Sequence, residues 1–459
     1  MERRAVLVKD ANPLCQATIQ IDPTFAYYVD RSEASVAAEL EQAGYRSVRY
    51  FVTDETKING RLVRALRERG MEVWAMALGN GAYGTGHLPP AWRSWQMELL
   101  KPVNDGYVRL SPFSAGYTAW KKSALAQVVR EHPFTGLEIA EAYFPEWNGL
   151  GTGVYGDVGP LAQAAFRQFS GGAMPEFRLR TSPLYYKKDR ARYLLWIDLR
   201  VRAVNDFLHE VINGQGGVRD ANPRIRIATW SLAVDAGRDP VGDVREAQGI
   251  DAVAMIRRVR PDAHVLQTHW PDWMRARLPA DYIRRYRPFA EPIGLAFPSL
   301  PLGVQTDIGS LRGMRRSRAW LKRFGTEAQA QGYRFWTAYE HSIGLPMYAE
   351  PPLPLSAARL GDARRVRLTF SKRIDPASAA GGAFRICTTN GGFGGELAPI
   401  HVEAVDGQLV ELWSDGFPPE AFELEVIGVR DTPDRWLLRD QPANTTPDGT
   451  RVSIPAFPD

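Results

Sequence analysis

The sequence is short of the residues that staple small folds or hold metals. Cys15 and Cys387, its two cysteines, stand near opposite ends of 459 residues, which excludes a disulfide framework and leaves room for one long-range bridge at most. Histidine is scarce at seven, and no H-x-H or H-E-x-x-H pair occurs, so the amidohydrolase and zincin patterns are missing. No metal and no cofactor is expected. The G-x-x-x-x-G-K-[ST] loop that cradles nucleotide phosphates and the G-x-S-x-G elbow of serine hydrolases are absent too. No stretch approaches the ~20 apolar residues of a membrane span, and the opening MERRAVLVKDANPLCQ has no apolar signal-peptide core. The chain as given is therefore expected to be soluble, off the membrane and cytoplasmic, or secreted if a leader was removed. Neither charge sign dominates: 57 Lys and Arg face 52 Asp and Glu. A nucleic-acid partner is not expected, because such a binder concentrates its basic excess. The densest basic spots, Arg312 to Arg318 and Tyr282 to Arg287, read as solvated helix faces.

Aromatics are plentiful, at 11% with 13 Trp, suited to stacking on sugar rings or to filling a large core. The chain is long enough for one large domain and a smaller one. Up to about Pro351, β-rich runs alternate with amphipathic runs. The first strand is Ala17 to Asp22 or Phe25 to Asp30, followed by a helix from Ser32 to Gly44 with a cap-like Ser and a closing Gly. Strands follow at Ser47 to Glu55, Glu72 to Gly81 and Leu137 to Tyr143, then at Arg224 to Asp235 and His264 to Trp270. Pro292 to Leu300 and Tyr333 to Ser342 complete a count of eight. Helices lie between them, and a long insertion spans Asn148 to Lys188. Eight strand-then-helix units predict a (β/α)8 barrel over residues 1–351. An open doubly wound sheet is the runner-up, disfavoured by the missing G-x-G-x-x-G turn.

After a Pro-rich linker, AEPPLPLSAARLGDA, short alternating runs (RRVRLTFS, AFRICTT, IHVEAVDGQLVELWS, FELEVIGVRD) predict a β-sandwich over residues 352–459. The phrase VRLTFSKRIDPASAAGGAFRI resembles Ig-like modules appended to bacterial surface and carbohydrate-active proteins, which implies a polysaccharide setting.

The densest chemistry lies in GLEIAEAYFPEWNG, Gly136 to Gly149. A parallel strand, covered on both faces, has little use for carboxylates in its middle, whereas side chains at the C-terminal strand ends of a barrel share one pocket. By that rule Asp22 or Asp30, Asp54 with Glu55, Asn80, Glu138 with Glu141, Asp235, His269 with Asp272, and Glu340 with His341 are candidates. Glu138 and Glu141, three positions apart, point to opposite sides unless the strand ends or bulges between them. Cleavage of a glycosidic bond needs two such carboxylic groups, one protonated and one ionised.

The fourth-strand segment resembles the largest clan of barrel glycoside hydrolases, in which an Asn-Glu pair closes strand four. Here the pair is Ala140-Glu141. The resemblance implies Glu141 as general acid/base and a nucleophile on strand seven, where GLAFPSL has no carboxylate. Gly136-Leu137-Glu138 is also similar to the start of the chitinase motif, but Ala142 then falls at the catalytic Glu, which disfavours chitinase chemistry. The expectation is a glycoside hydrolase with Glu141, Glu340 and Glu138 as catalytic candidates. Asp30, Asp54, Asn80, Trp230, Asp235, His269, Trp270 and Trp336 are expected to bind the sugar. A carbohydrate-binding barrel without catalysis is the rival, and a sugar lyase or isomerase a third reading. A monomer or small homo-oligomer is expected.

Overall fold

Eight β-rich runs pair in parallel and close on themselves in the structure, a computed structural model that describes residues 16–387 and 398–458. Cys15, and with it the long-range bridge, lies outside the described residues, as do the N-terminal segment read for a leader and Thr388 and Thr389 of AFRICTT. The barrel strands are β1 (Gln16–Ile21), β2 (Ser47–Val52), β3 (Glu72–Leu78), β4 (Gly136–Ala140), β5 (Arg226–Ala233), β6 (Ala263–Thr268), β7 (Leu302–Asp307) and β8 (Phe335–Tyr339). β8 returns to β1, with Gln16 opposite Phe335 and Gln20 opposite Tyr339. Helices cover the outside: α1 (Glu33–Gln42), α2 (Gly60–Glu68), α3 (Ala115–Glu131), α4 (Arg190–Asn213), α5 (Arg287–Ala296) and α6 (Arg318–Ala330), with shorter ones between. Ser32 caps α1 by accepting the Ser35 N–H, the reason that helix starts where the sequence predicts. The chain is a (β/α)8 barrel followed by antiparallel sheets. Among the described residues no helix is long and apolar enough to cross a membrane.

Of the two runs offered for the first strand, the Ala17 run forms it and Phe25 to Asp30 makes turns. Two segments depart from expectation. Pro292 to Leu300 is not strand seven: it begins inside α5, where Phe289 and Ile293 are buried one turn apart and Leu295 is exposed. That is a 3.6-residue period, not a strand's. The strand is the more polar LGVQTD that follows, and it ends in Asp307. Pro354–Leu360, inside the Pro-rich linker, pairs with Asp362–Phe370 as an edge strand.

Barrel side chains alternate inward and outward. Glu138 and Ala140 of β4 share the inward side, and Trp336 of β8 points out, where it meets Gly325 and Phe324 of α6. The insertion after β4 carries two short helices, Gly149–Thr152 and Pro160–Ser170, and a small core of Tyr155, Phe166, Tyr193 and Trp196 against α4. Arg200 locks it down: its guanidinium lies over the Phe144 and Tyr155 rings and donates to the carbonyls of Gly156, Glu246 and Ala247.

The C-terminal strands form a four-stranded and a three-stranded antiparallel sheet around Val366, Leu368, Phe370, Leu412, Leu424 and Ile454. They grip the loop between β1 and α1. Arg373 donates to the carbonyls of Tyr27 and Val29 at 2.8 and 2.6 Å, and Asp406 accepts the Ser32 N–H at 2.7 Å.

Candidate active site

Glu141 follows β4 directly, in the left-handed region at φ 53°. For a residue with a Cβ this costs about 1–2 kcal/mol. The strand therefore ends between Glu138 and Glu141, and the turn carries Glu141 over the barrel mouth. Two glycines make room. A Cβ on Gly79 would come within 2.6–2.9 Å of Ala142, and one on Gly81 within 1.9 Å of the Tyr107 hydroxyl. That hydroxyl donates to Glu141 Oε2 at 2.8 Å. Asn80, between the glycines, clamps the same turn: it accepts the Tyr143 N–H and donates to the carbonyls of Tyr143 and Leu110. Burial pushes the Glu141 carboxyl above its ordinary value, and the Tyr107 hydroxyl and Arg109 pull it part of the way back.

Two cavities meet at Glu141. The larger, about 840 Å³, sits over the barrel axis. Its floor is an amide layer in which Trp230 Nε1 donates to Gln305 Oε1 at 3.0 Å and Gln305 Nε2 donates to Gln20 Oε1 at 2.7 Å. Its wall carries Asp22, Asp54, Asp307 and Tyr339 besides Glu141. Asp307 ends β7, and its carboxylate accepts from Gly309 N, Ser310 N and Ser310 Oγ at 2.9, 3.0 and 2.5 Å. Burial raises its affinity for a proton, and these three donors oppose the rise. Asp22, just past β1, accepts from the Thr24 N–H and hydroxyl on Oδ1. Burial raises it as well, against Thr24. Asp54 is lowered, because the Thr56 donors and Lys57 outweigh its slight burial. The smaller cavity, about 370 Å³, lies between the loops after β3, β4 and β6 and is lined by Asn80, Tyr107, Gln248, His269, Trp270 and others.

Of the residues expected from the sequence, Glu141, Asp54, Asn80, Trp230, His269 and Trp270 line these two cavities. Five others do not, and each has a different employment. Glu340 is fully buried behind β1, accepting from Asp22 N, the Tyr28 hydroxyl and Ser342 N. Burial pushes it up to about 7, with the Ser342 and Asp22 donors acting against the rise. Glu138 lies inside the barrel below the cavity, paired with Arg49 at 2.8 Å, while the guanidinium stacks on Trp74 and Phe335. Asp30 pairs with Arg435, in the turn Pro433–Arg435 between two C-terminal strands, at 2.8 Å. Asp235 pairs with Arg275 and Arg285 at 3.3 and 2.8 Å. Trp336 faces α6, as described. Glu55 is a structural ion too: despite burial, Lys121 and His87 hold it near 2. The reading from the sequence missed Asp307, because the apolar run before it absorbed the strand assignment. The signal was there, in an alternating LGVQT closed by Asp-x-Gly-Ser.

No protein-family model matches the chain, and no curated protein matches it. Among solved structures it is similar to the glycoside hydrolase domain of PgaB (BpsB) from Bordetella bronchiseptica. Identity is 17% and the TM-score 0.53, over 71% of this chain and 94% of that one. It is also similar to the glycoside hydrolase domain of PelA from Pseudomonas aeruginosa, at 11% identity and a TM-score of 0.40 over 71% and 94%. A GH42 β-galactosidase, Gan42B from G. stearothermophilus, aligns at 12% and 0.47 over 72% and 51%. At such identities the likeness is one of fold: the chain shares the barrel architecture of the PgaB glycoside hydrolase domain.

Proposed function

We propose that the chain hydrolyses a glycosidic bond in an oligo- or polysaccharide, with Glu141 as general acid/base and Asp307 as the carboxylate facing it. The observation that carries this reading is that the ends of β4 and β7, three strands apart around the barrel, both line one cavity over its axis. Strand seven is where the resemblance to the barrel clan expects a nucleophile, and Asp307 fills that position. The two environments differ in the donors they offer. Burial raises both; against the rise Glu141 has one phenol donor and Arg109, while Asp307 has three turn donors that favour its charge. In the reaction Glu141 gives its proton to the glycosidic oxygen as the bond from that oxygen to the anomeric carbon breaks. Asp307 attacks that carbon or activates the water that does. If Asp307 attacks, Glu141 then takes a proton from the water that cleaves the resulting ester and so recovers its own; if Asp307 activates the water, it takes that proton itself and the pair resets by exchange with solvent, one water being consumed per bond cleaved either way. Residues 1–351 are the catalytic barrel in this reading and 352–459 an Ig-like accessory unit.

The test is a panel of oligo- and polysaccharides with detection of new reducing ends, run beside Glu141→Gln and Asp307→Asn. Each variant is expected to lose roughly 10²–10⁴-fold in kcat. Full turnover by Glu141→Gln overturns the reading. The rival, a binding barrel without catalysis, draws on Ala140 standing where the clan has Asn. Saturable binding of a glycan that the native chain never cleaves is its signature.

A further inference from the structure

The loop between β1 and α1 carries part of the cavity wall, yet it is held from outside the barrel. Asp22, Thr24 and Phe25 line the larger cavity. Beyond them the loop runs as turns, closed by bonds from Phe25 N to the Asp22 carbonyl and from Tyr28 N to the Phe25 carbonyl. The carbonyls that follow meet one side chain of the C-terminal unit. Arg373 donates Nη1 to those of Ala26, Tyr27 and Val29 at 3.3, 2.8 and 2.6 Å, and Nη2 to that of Asp30 at 3.3 Å. Arg373 is 6% exposed, and a planar guanidinium with a fixed fork of donors suits such a cluster of carbonyls better than an ammonium would. Its footing is rigid, because Phe370 and Ile374 on either side of it pack in the core of the antiparallel sheets.

We propose that Arg373 is a positioning residue of the barrel site, setting through Tyr28 and Glu340 where Asp22 stands on the cavity wall. The path is contiguous. Arg373 fixes the carbonyls on both sides of Tyr28, the Tyr28 hydroxyl donates to Glu340 Oε1 at 3.0 Å, and Glu340 Oε2 accepts the Asp22 N–H at 2.8 Å. Every member is buried, Glu340 completely, so a shift at one end is taken up by packed atoms and not by solvent. The residue beside Arg373 grips a different segment. Lys372 Nζ donates to the Met347 carbonyl at 2.9 Å and pairs with Asp431 at 2.6 Å, and neither Met347 nor Asp431 lines a cavity at the barrel mouth. One contact of the C-terminal unit thus reaches the site, and its neighbour does not. The unit in this reading completes a wall that the barrel alone leaves to a loop of turns. The consequence for turnover rests on the glycosidase proposal above, whereas the placement of Asp22 does not.

The experiment uses the full chain with Cys15→Ser and Cys387→Ser, which removes both of its cysteines, and with Asp22→Cys as a reporter on the wall. Labelling of the introduced thiol by iodoacetamide is timed in this background and with Arg373→Met, Tyr28→Phe or Lys372→Met added. Arg373→Met and Tyr28→Phe are expected to raise the rate by about threefold or more as the segment opens locally, and Lys372→Met to leave it unchanged. An unmoved rate in Tyr28→Phe, which loses one hydroxyl and keeps its ring, overturns the proposal whatever Arg373→Met does. A rise in Lys372→Met equal to that in Arg373→Met overturns it too, being the mark of a joint that merely loosens. With Asp22 restored, kcat/KM on the cleaved glycan is expected to fall about tenfold in Arg373→Met and in Tyr28→Phe, and in the double variant by less than the product of the two, because both act on one path. Unchanged kcat/KM in both, or losses that simply multiply, overturn the role in the site. Labelling that moves as expected in a chain that cleaves no glycan keeps the placement of Asp22 and removes the glycosidase reading. Labelling that does not move while Glu141→Gln stops turnover removes the positioning role and keeps that reading.

Discussion

Glu138 and Glu141 sit three residues apart in one segment, one paired with Arg49 inside the barrel and one on the cavity wall, and the different roles proposed for them are ones that substitution should separate. Glu138→Gln leaves the Arg49 guanidinium inside the barrel without its counter-charge. It keeps a hydrogen bond to Ser47 Oγ at 2.8 Å and its stacking on Trp74 at 4.6 Å. Breaking a buried pair from one side costs about 3–5 kcal/mol, and Gln, which still accepts one hydrogen bond, belongs at the lower end. A barrel of roughly 330 residues unfolds with an entropy of about 0.7 kcal/mol/K, so the loss corresponds to a fall of about 4–7 °C in Tm. Replacing both partners, Arg49→Met with Glu138→Leu, removes the stranded charge and is expected to recover most of that fall. Glu141→Gln should do the reverse. The carboxyl it removes has a raised pKa, so the stability Glu141 contributes is full below its ordinary value and lost as pH rises through the folded one. At neutral and alkaline pH the variant should be at least as stable as the native chain while losing turnover. The assay is differential scanning calorimetry at pH 5 and 8 beside kcat on the cleaved glycan. If Glu138→Gln abolishes turnover with Tm unchanged, the assignment of Glu138 to the barrel interior's ion pair is refuted.

Three further outcomes follow from the same contacts. Tyr107→Phe removes the hydrogen bond that favours the ionised Glu141, so the basic limb of the kcat/KM pH profile should move to higher pH; an unmoved limb would separate Tyr107 from the acid. Gly81→Ala drives a methyl into the Tyr107 hydroxyl and should cost about 1–3 kcal/mol in urea unfolding while displacing Tyr107 from Glu141. Glu340, raised to about 7, contributes stability that is full below about 4.5 and lost as pH rises through 7. Thermal melts of native chain and Glu340→Gln should therefore diverge with pH, the native chain losing ground between pH 5 and 8. Parallel curves would rule out that titration.

The sequence legibly carried the strand–helix alternation, the caps and the terminal β-runs, because each is written in local periodicity and turn chemistry. Glu141 was legible too, as a carboxylate just past a buried run. Its companions were not. Glu340 looked like a strand-end carboxylate, but whether a residue at a strand end faces the axis or the layer behind it depends on where the strand stops, and β8 stops at Tyr339. Glu138 looked like half of a pair with Glu141 until Arg49, from β2, reached it across the barrel. Asp307 was hidden because hydrophobicity favours the apolar run at the end of α5 over a short, polar strand whose glutamine, Gln305, bonds to Gln20 of β1 and Trp230 of β5. By itself the sequence determined the elements and the one carboxylate marked by its neighbours. Which carboxylates share a cavity was decided by closure of the barrel, since register and strand ends, set by contacts hundreds of residues apart, fix where each side chain points.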